Sequence, residues 1–326
     1  MKAPFPYIGG KSRIAPLVWQ LLGDPPNYVE PFLGSAAVLL ARPAHHKGGI
    51  ETVNDADGLI ANFWRALQSD PEAVAQYADW PVNENDLHAR HIWLVNERKA
   101  LTVQLEGNPE WFDAKAAGWW VWGMACWTRG GFCSGKGPWQ AVDGQLVHLG
   151  TAGQGVMRQL VHLWHQGRGV KGAARRDNLY AYFSALADRL RNVRVCCGDW
   201  SRVCGPTPTV QQGLTGVFLD PPYSDAAKRA SDCYAVESGT VANDARAWCL
   251  AQGSDKRMRI VLCGYEGEHE ELESAGWRVI EWRGASGYGG QRRTGTNINK
   301  FSERLWASPN CLAAEQCKLG LEMEER

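Results

Sequence analysis

The chain has 326 residues, 44% of them hydrophobic and 21% charged, which excludes wholesale disorder and allows one large core, or one core with a sizeable inserted domain. Lys plus Arg and Asp plus Glu each number 35, so bulk charge argues for no particular partner and only local clusters can. Residues 1–13 lack the apolar stretch of a signal peptide and the longest apolar run, near 119–127, is too short for a bilayer, so a cytosolic protein without a membrane partner is expected.

The 10 cysteines form no CxxC pair and are expected to be reduced thiols. His88/His91 and His162/His165 have HxxH spacing, but without a matching cysteine pair or an acidic general base no metal is expected.

In chain order, residues 5–11 (FPYIGGK) put the aromatic Tyr7 and the cation Lys11 around a Gly-Gly pair, and Lys11 could hold a carboxylate. Tyr28, Val29 and Glu30 then read as a strand end, and residues 28–40 (YVEPFLGSAAVLL) as strand, tight turn at Gly34, Ser35 and Ala36, and helix. Residues 50–53 are a second strand and 59–67 a helix with one apolar face, the alternation of a mostly parallel sheet.

Around 79–85 the text becomes polar and turn-like, and from there to about 191 it is helix-like and interrupted by glycine, as in an inserted domain. Within it Trp119, Trp122 and Cys126 fall on one helical stripe, so the tryptophan-rich run at 118–127 reads as core, not as a stacking platform. Strand-like text resumes at 193–196, 217–219 and 260–262. The expected division is a first catalytic part (1–78), an insert (79–191), a second catalytic part (192–310) and an acidic tail (311–326).

The chemistry concentrates at 216–223 (GVFLDPPY). A buried strand ending in a polar turn presents that turn at the carboxyl edge of a parallel sheet, where ligands of open α/β sheets bind. Asp220, Pro221 and Pro222 make a stiff segment that offers acceptors and almost no donors, so it suits a group with two N–H bonds.

An exocyclic amine of a nucleobase is such a group. The Asp220 carboxylate and Pro221 carbonyl can draw its N–H bonds out of the ring plane, localise the lone pair and stabilise the positive charge that develops on nitrogen. Tyr223 offers a face for the base to stack on, worth about 1–3 kcal/mol.

The tight turn at Gly34 lets backbone approach a ligand and aims helix N–H groups at it. Asp55, after the next strand, stands where such folds bind ribose hydroxyls, although it could equally cap the helix that follows. Asp199 and Trp200 supply an acceptor and a plane suited to an adenine ring.

These segments, in this order with DPPY, resemble the Dam-like (D12 class) DNA adenine N6-methyltransferases, particularly phage-encoded forms. The resemblance covers most of the chain. It implies a Rossmann-like α/β sheet with an inserted, mainly helical target-recognition domain, S-adenosylmethionine as cofactor and double-stranded DNA as partner. By that resemblance Tyr7 and Lys11 flank the methionine end of the cofactor and Glu30, Pro31, Phe32, Gly34, Ser35 and Ala36 form its binding turn. Asp55 holds the ribose, Asp199 and Trp200 the adenine, and Asp220, Pro221, Pro222 and Tyr223 grip the target amine beside the cofactor. The family's FxGxG turn ends here in Ala36, small enough to leave backbone access.

Residues 127–139 (WTRGGFCSGKGPW) are similar to the family's recognition loop. With Arg129, Phe132 and Lys136 its Gly-rich backbone suits a hairpin or loop that enters a groove, with Arg able to read guanine and Phe to wedge where a base leaves the stack, the alternative being a surface loop with solvated charges. The basic run at 168–176 and the Gly-rich 284–299, with Arg292 and Arg293, are further candidates for phosphate contacts. Two rivals stay open: the same cofactor with an RNA base or a protein amide nitrogen as acceptor, against which Asp220 and the large insert argue, and a non-catalytic module that binds cofactor and DNA.

Overall fold

The computed structural model describes residues 1–7, 9–43, 49–127, 132–133, 139–142, 145–148, 173–222, 240–282 and 303–313. The first half runs α1 (Ala15–Leu22), β1 (Asn27–Glu30), α2 (Ala37–Leu40), β2 (Ile50–Asp55), α3 (Gly58–Ser69), α4 (Pro71–Ala78), α5 (Glu84–Gly107) and α6 (Ala114–Cys126). A hairpin of β3 (Trp139–Val142) and β4 (Gln145–His148) follows, then α7 (Ala173–Leu190) and β5 (Val193–Cys197). The chain continues with β6 (Thr215–Leu219), α8 (Val241–Gln252), β7 (Met258–Tyr265), α9 (Glu270–Ser274), β8 (Arg278–Glu281) and β9 (Glu303–Ala307).

Seven of these strands form one sheet in the order β5-β2-β1-β6-β7-β9-β8. The first five positions are parallel, and β9 is antiparallel to both its neighbours. This is the Rossmann-like α/β sheet expected from the sequence, and its strands follow their burial. Central β1 and β6 are buried at every residue, whereas edge strand β5 alternates buried Val193, Val195 and Cys197 with exposed Arg194 and half-buried Cys196. The other edge, β8, carries Arg278 and Glu281, charges that discourage further strand pairing.

From β1 the chain builds outward through β2 to β5, then returns to β1's other side as β6. The gap between β1 and β6 is therefore the switch point, where two successive crossovers diverge and leave a crevice at the strands' carboxyl ends. Side chains of β1 and β6 alternate between two cores. Tyr28 and Phe218 join Phe5, Phe63, Trp64, Trp120, Trp122 and Phe183 on one face, while Val29, Val217 and Leu219 join Ile260, Leu262, Trp277 and Trp306 on the other.

The first core runs without a break from α3 and α4 into α5, α6 and α7, so the limits expected at 79 and 191 do not divide the hydrophobic core. Glycine makes that continuity possible: a side chain on Gly118 of α6 would meet the Val74 carbonyl of α4 at 2.7 Å. The α6 stripe also differs from expectation. Trp122 and Cys126 are fully buried, but Trp119 is only partly so, packed beneath the cations of Arg90 and Lys115 at 5.1 and 4.5 Å. Trp120, off the stripe, is buried, because α6 is enclosed by α3, α4 and α5 and has no free face. At the start of the expected tail, the Leu312 amide donates to the Leu21 carbonyl and Arg278 donates to the Cys311 and Leu312 carbonyls; residues 314–326 lie outside the described residues.

Candidate active site

The turn after β1 is shaped by backbone that ordinary side chains resist. Gly34 has φ 47°, and a Cβ there would stand 2.7 Å from the Tyr7 ring, so Tyr7 lies directly against bare backbone. Ala36 holds the same left-handed conformation, φ 53°, with its methyl fully buried. Pro31, Ser35 and Gly34 are buried and Phe32 is half-buried.

Three staples fix this turn. The Trp64 indole donates to the Gly34 carbonyl at 2.9 Å, the Leu33 amide donates to the Asn54 carbonyl at 2.9 Å, and the Asn54 amide group donates to the carbonyls of Pro31 and Gly198 at 3.1 and 2.9 Å. Asn54 thereby ties the turn after β1 to the turn after β5, a role legible only as a polar residue in a buried strand.

Asp55 accepts from the Gly34 amide through Oδ2 and from the Asp57 amide through Oδ1, both at 2.9 Å. The helix cap that Asp55 could have served belongs to Asp57, whose carboxylate accepts from the Leu59 amide at 2.9 Å. Desolvation, with the Asp57 charge adding to it, pushes the Asp55 carboxyl up to about 7. A carboxyl so placed gains from further donors.

Glu30 ends β1 with its carboxyl enclosed: Oε2 accepts from the Tyr28 hydroxyl at 2.9 Å and from the Leu39 amide at 3.2 Å. Burial is the main cause that pushes it up to about 8. Helix α2 is a single turn and one of its N–H groups is engaged by Glu30, so the expectation that it aims free N–H groups at a ligand finds little support.

Asp220 stands half-buried at the end of β6, followed by buried Pro221 and half-buried Pro222. Its Oδ1 lies 3.0 Å from the Lys11 ammonium, which also donates to the Gly9 carbonyl at 2.9 Å. Lys11 is 4% exposed. The cation expected to hold a ligand's carboxylate thus holds the chain's own, a pairing between sequence-distant groups that spacing does not reveal.

Next to the turn, Trp200 stacks on Phe32 at 5.9 Å between centroids and meets Trp248 edge-on at 6.3 Å. Trp200 is 8% exposed, so most of its plane is already covered by protein. Asp199 caps the 3-10 turn Trp200–Val203, accepting from the Ser201 amide at 2.9 Å. Both residues thus have structural duties of their own.

Phe132 is not presented as a wedge. It is 4% exposed, and its ring occupies the space a side chain on Gly123 would need, beside His91 and Trp127. His91 stacks on Trp127 at 4.8 Å and its burial pushes it down to about 4. Among the described residues no cluster of His, Cys, Asp or Glu could hold a metal ion, and no helix is long and apolar enough to cross a membrane. Tyr223, Arg129, Lys136, Arg292 and Arg293, with the basic run at 168–176 up to residue 172 and the Gly-rich stretch at 284–299, lie outside the described residues.

Open α/β sheets of this kind bind nucleotide-like ligands at the switch point, where this chain places its acids and its tight glycine turn. Residues 7–95 match the family model of the D12 class N6 adenine-specific DNA methyltransferases. The matched stretch runs from Tyr7 through Lys11, the Gly34 turn and Asp55 into α5, and over those residues the chain is similar to Dam-like, adenine-specific DNA methyltransferases. No curated protein matches the chain.

Glu30 carries a stability prediction. Its folded value of about 8 lies above the usual carboxyl value of 4.5, so the folded state binds the proton more tightly and stability is lost as pH rises toward and through 8. Replacing Glu30 by Gln keeps an acceptor for Tyr28 and Leu39 but cannot ionise. In urea unfolding between about pH 5 and about pH 8.5, Glu30→Gln is expected to lose less stability than wild type, by on the order of 2 kcal/mol.

Proposed function

We propose that the chain transfers a methyl group from S-adenosylmethionine to N6 of adenine in double-stranded DNA, with the target base turned out of the duplex onto the turn that begins at Asp220. The observation that carries the reading is the position of Asp220 and Pro221 at the carboxyl end of β6, across the switch point from the Gly34 turn.

The residues around that turn fit the cofactor. The bare backbone of Gly34 seats the Tyr7 ring, the aromatic that would flank the methionine end of the cofactor. Asp55 has two backbone donors and a carboxyl raised to about 7, so ribose hydroxyls would complete its shell and favour its ionised form. Bound S-adenosylmethionine supplies a methyl group activated by a sulfonium sulfur.

What the chain contributes is position and charge. Asp220 accepts one N–H of the adenine amine and the Pro221 carbonyl the other, which bends both bonds from the ring plane and leaves the lone pair free to attack. Asp220 would be the nearby anion that stabilises positive charge growing on the amine nitrogen during transfer and that accepts the proton it sheds. Lys11 fixes Oδ1, so that the carboxylate faces its substrate in one orientation. Tyr223 provides the stacking face for the base. Neutral net charge goes with modest, salt-sensitive DNA binding, in which Arg129, Lys136, Arg292 and Arg293 are the phosphate and base contacts.

The test is transfer of isotopically labelled methyl from S-adenosylmethionine to mixed-sequence duplex DNA, with the labelled nucleosides identified by mass spectrometry. Wild type is expected to yield N6-methyladenine and Asp220→Ala to lower its rate on the order of 100- to 1,000-fold. A labelled cytosine, RNA or protein product, or an Asp220→Ala variant as fast as wild type, would contradict the reading. Asp55 adds a pH signature: donors that favour its charged form make binding release a proton. Cofactor affinity is therefore expected to rise with pH through about 7, and Asp55→Asn to bind weakly with that dependence gone, as titration calorimetry in two buffers would show.

A further inference from the structure

Near the end of β2 stands an amide whose hydrogen bonds are one-sided. Asn54 is 1% exposed, and its Nδ2 commits both N–H bonds to backbone, donating to the carbonyls of Pro31 at 3.1 Å and Gly198 at 2.9 Å. Its Oδ1 is buried without a partner. An unpaired buried acceptor is unfavourable, so the donors of this side chain, not its oxygen, account for an amide at this place. An aspartate or a leucine would nearly match its shape, but neither carries an amide's two donors.

Both acceptors adjoin aromatic residues. Pro31 directly precedes Phe32, and Leu33, directly after it, donates its amide to the Asn54 carbonyl at 2.9 Å, so bonds to Asn54 bracket Phe32 on both sides along the chain. Gly198 lies shortly before Trp200, and its amide donates to the Asp55 carbonyl at 3.1 Å. Phe32 and Trp200 stack on each other at 5.9 Å between centroids, with planes 29° apart. The turn that leads to Trp200 is itself closely filled. Gly198 has φ 124°, and a Cβ there would stand 2.7 Å from Arg202 Nη1, which donates to the Cys197 carbonyl at 3.1 Å. The aromatic pair is thus bridged by one side chain that belongs to neither turn.

We propose that Asn54 is a positioning residue for the nucleoside half of the cofactor: its two donors set the spacing of the turns that carry Phe32 and Trp200, beside the carboxyl of Asp55. The proposal rests on the function proposed above. A base and a ribose are rigid groups, bound tightly only where an aromatic plane and a hydroxyl acceptor already stand at the right separation. The amino-acid half is flexible and would lie toward Tyr7 and Lys11, on a separate segment of the chain. Asn54 acts through the two turns and touches no ligand.

The test uses the full chain and two non-reacting probes, S-adenosylhomocysteine and methylthioadenosine, the second of which lacks the amino-acid half. Dissociation constants are measured by titration calorimetry for wild type, Asn54→Asp and Asn54→Leu. Asn54→Asp keeps the shape but sets an acceptor against two carbonyls, and is expected to weaken both probes about tenfold or more, by the same factor. Asn54→Leu, which leaves the carbonyls unpaired without opposing them, should fall between Asn54→Asp and wild type. Duplex DNA binding without cofactor, and the single-turnover rate at saturating S-adenosylmethionine, should stay within about threefold of wild type. A general loss of stability would lower all of these together. Probe binding by Asn54→Asp within about twofold of wild type, or weakening of S-adenosylhomocysteine alone, overturns the proposal.

Amide hydrogen exchange gives a second readout that needs no variant. In wild type, methylthioadenosine is expected to slow exchange of the Leu33, Gly34 and Gly198 amides together, because one nucleoside would rest on both turns. Slowing confined to one turn contradicts the proposal. A wild type that binds neither probe overturns the proposed function and this inference with it, whereas a wild type that binds both, with Asn54→Asp binding as tightly, overturns this inference alone.

Discussion

The ion pair between Lys11 and Asp220 is the constraint around which the site is arranged. Lys11 is almost entirely buried, and a buried ammonium requires partners, which include the Gly9 carbonyl and one oxygen of Asp220. Removing one member of such a pair leaves the other charged and unsatisfied, which in buried pairs costs about 3–5 kcal/mol. The N-terminal segment and the turn after β6 are therefore held together before any ligand arrives. Because Tyr7 lies four residues before Lys11 and rests on Gly34, the same pair also sets the N-terminal segment against the turn after β1.

A second set of contacts carries this arrangement around the crevice. Asn54 joins the turn after β1 to the turn after β5, and Asp55 joins the Gly34 backbone to the start of α3. The result is a rim in which Asn54 and Asp55, at the end of β2, are bonded to the neighbouring turns. Preorganisation of this kind suits the proposed reaction, in which an amine and a methyl donor would be placed in line with little covalent chemistry by the protein. It also explains raised carboxyls at Glu30 and Asp55, since a tightly closed rim excludes water from its acids.

Much of this was legible in the sequence because it rests on local pattern. The strands at 28–30, 50–53, 193–196, 217–219 and 260–262 are short β-like runs bounded by turns, and each is a sheet strand; the helix at 59–67 follows from its apolar face. The Gly34 turn and the place of Asp220 at a strand's carboxyl end follow from residue type. What was not legible depends on contacts between distant segments. Lys11 meeting Asp220, Arg98 meeting Cys133 and Phe132 filling the space beside Gly123 have no local signature. Phe132 shows the limit well: an aromatic in a Gly-rich stretch reads as exposed until the glycine that receives its ring is known. Asp57 was within reach, since an acid directly before a glycine that opens an apolar helix is an N-cap signal.

The most direct measurement is the effect of Lys11→Met on the two halves of the reaction. If Lys11 positions Asp220, single-turnover methyl transfer to duplex DNA should fall about 100-fold or more while the dissociation constant of S-adenosylmethionine stays within about twofold of wild type. If Lys11 instead holds the cofactor's carboxylate, cofactor binding should weaken about tenfold or more with the single-turnover rate at saturation unchanged, and the Lys11–Asp220 pair would not be the constraint that arranges the site.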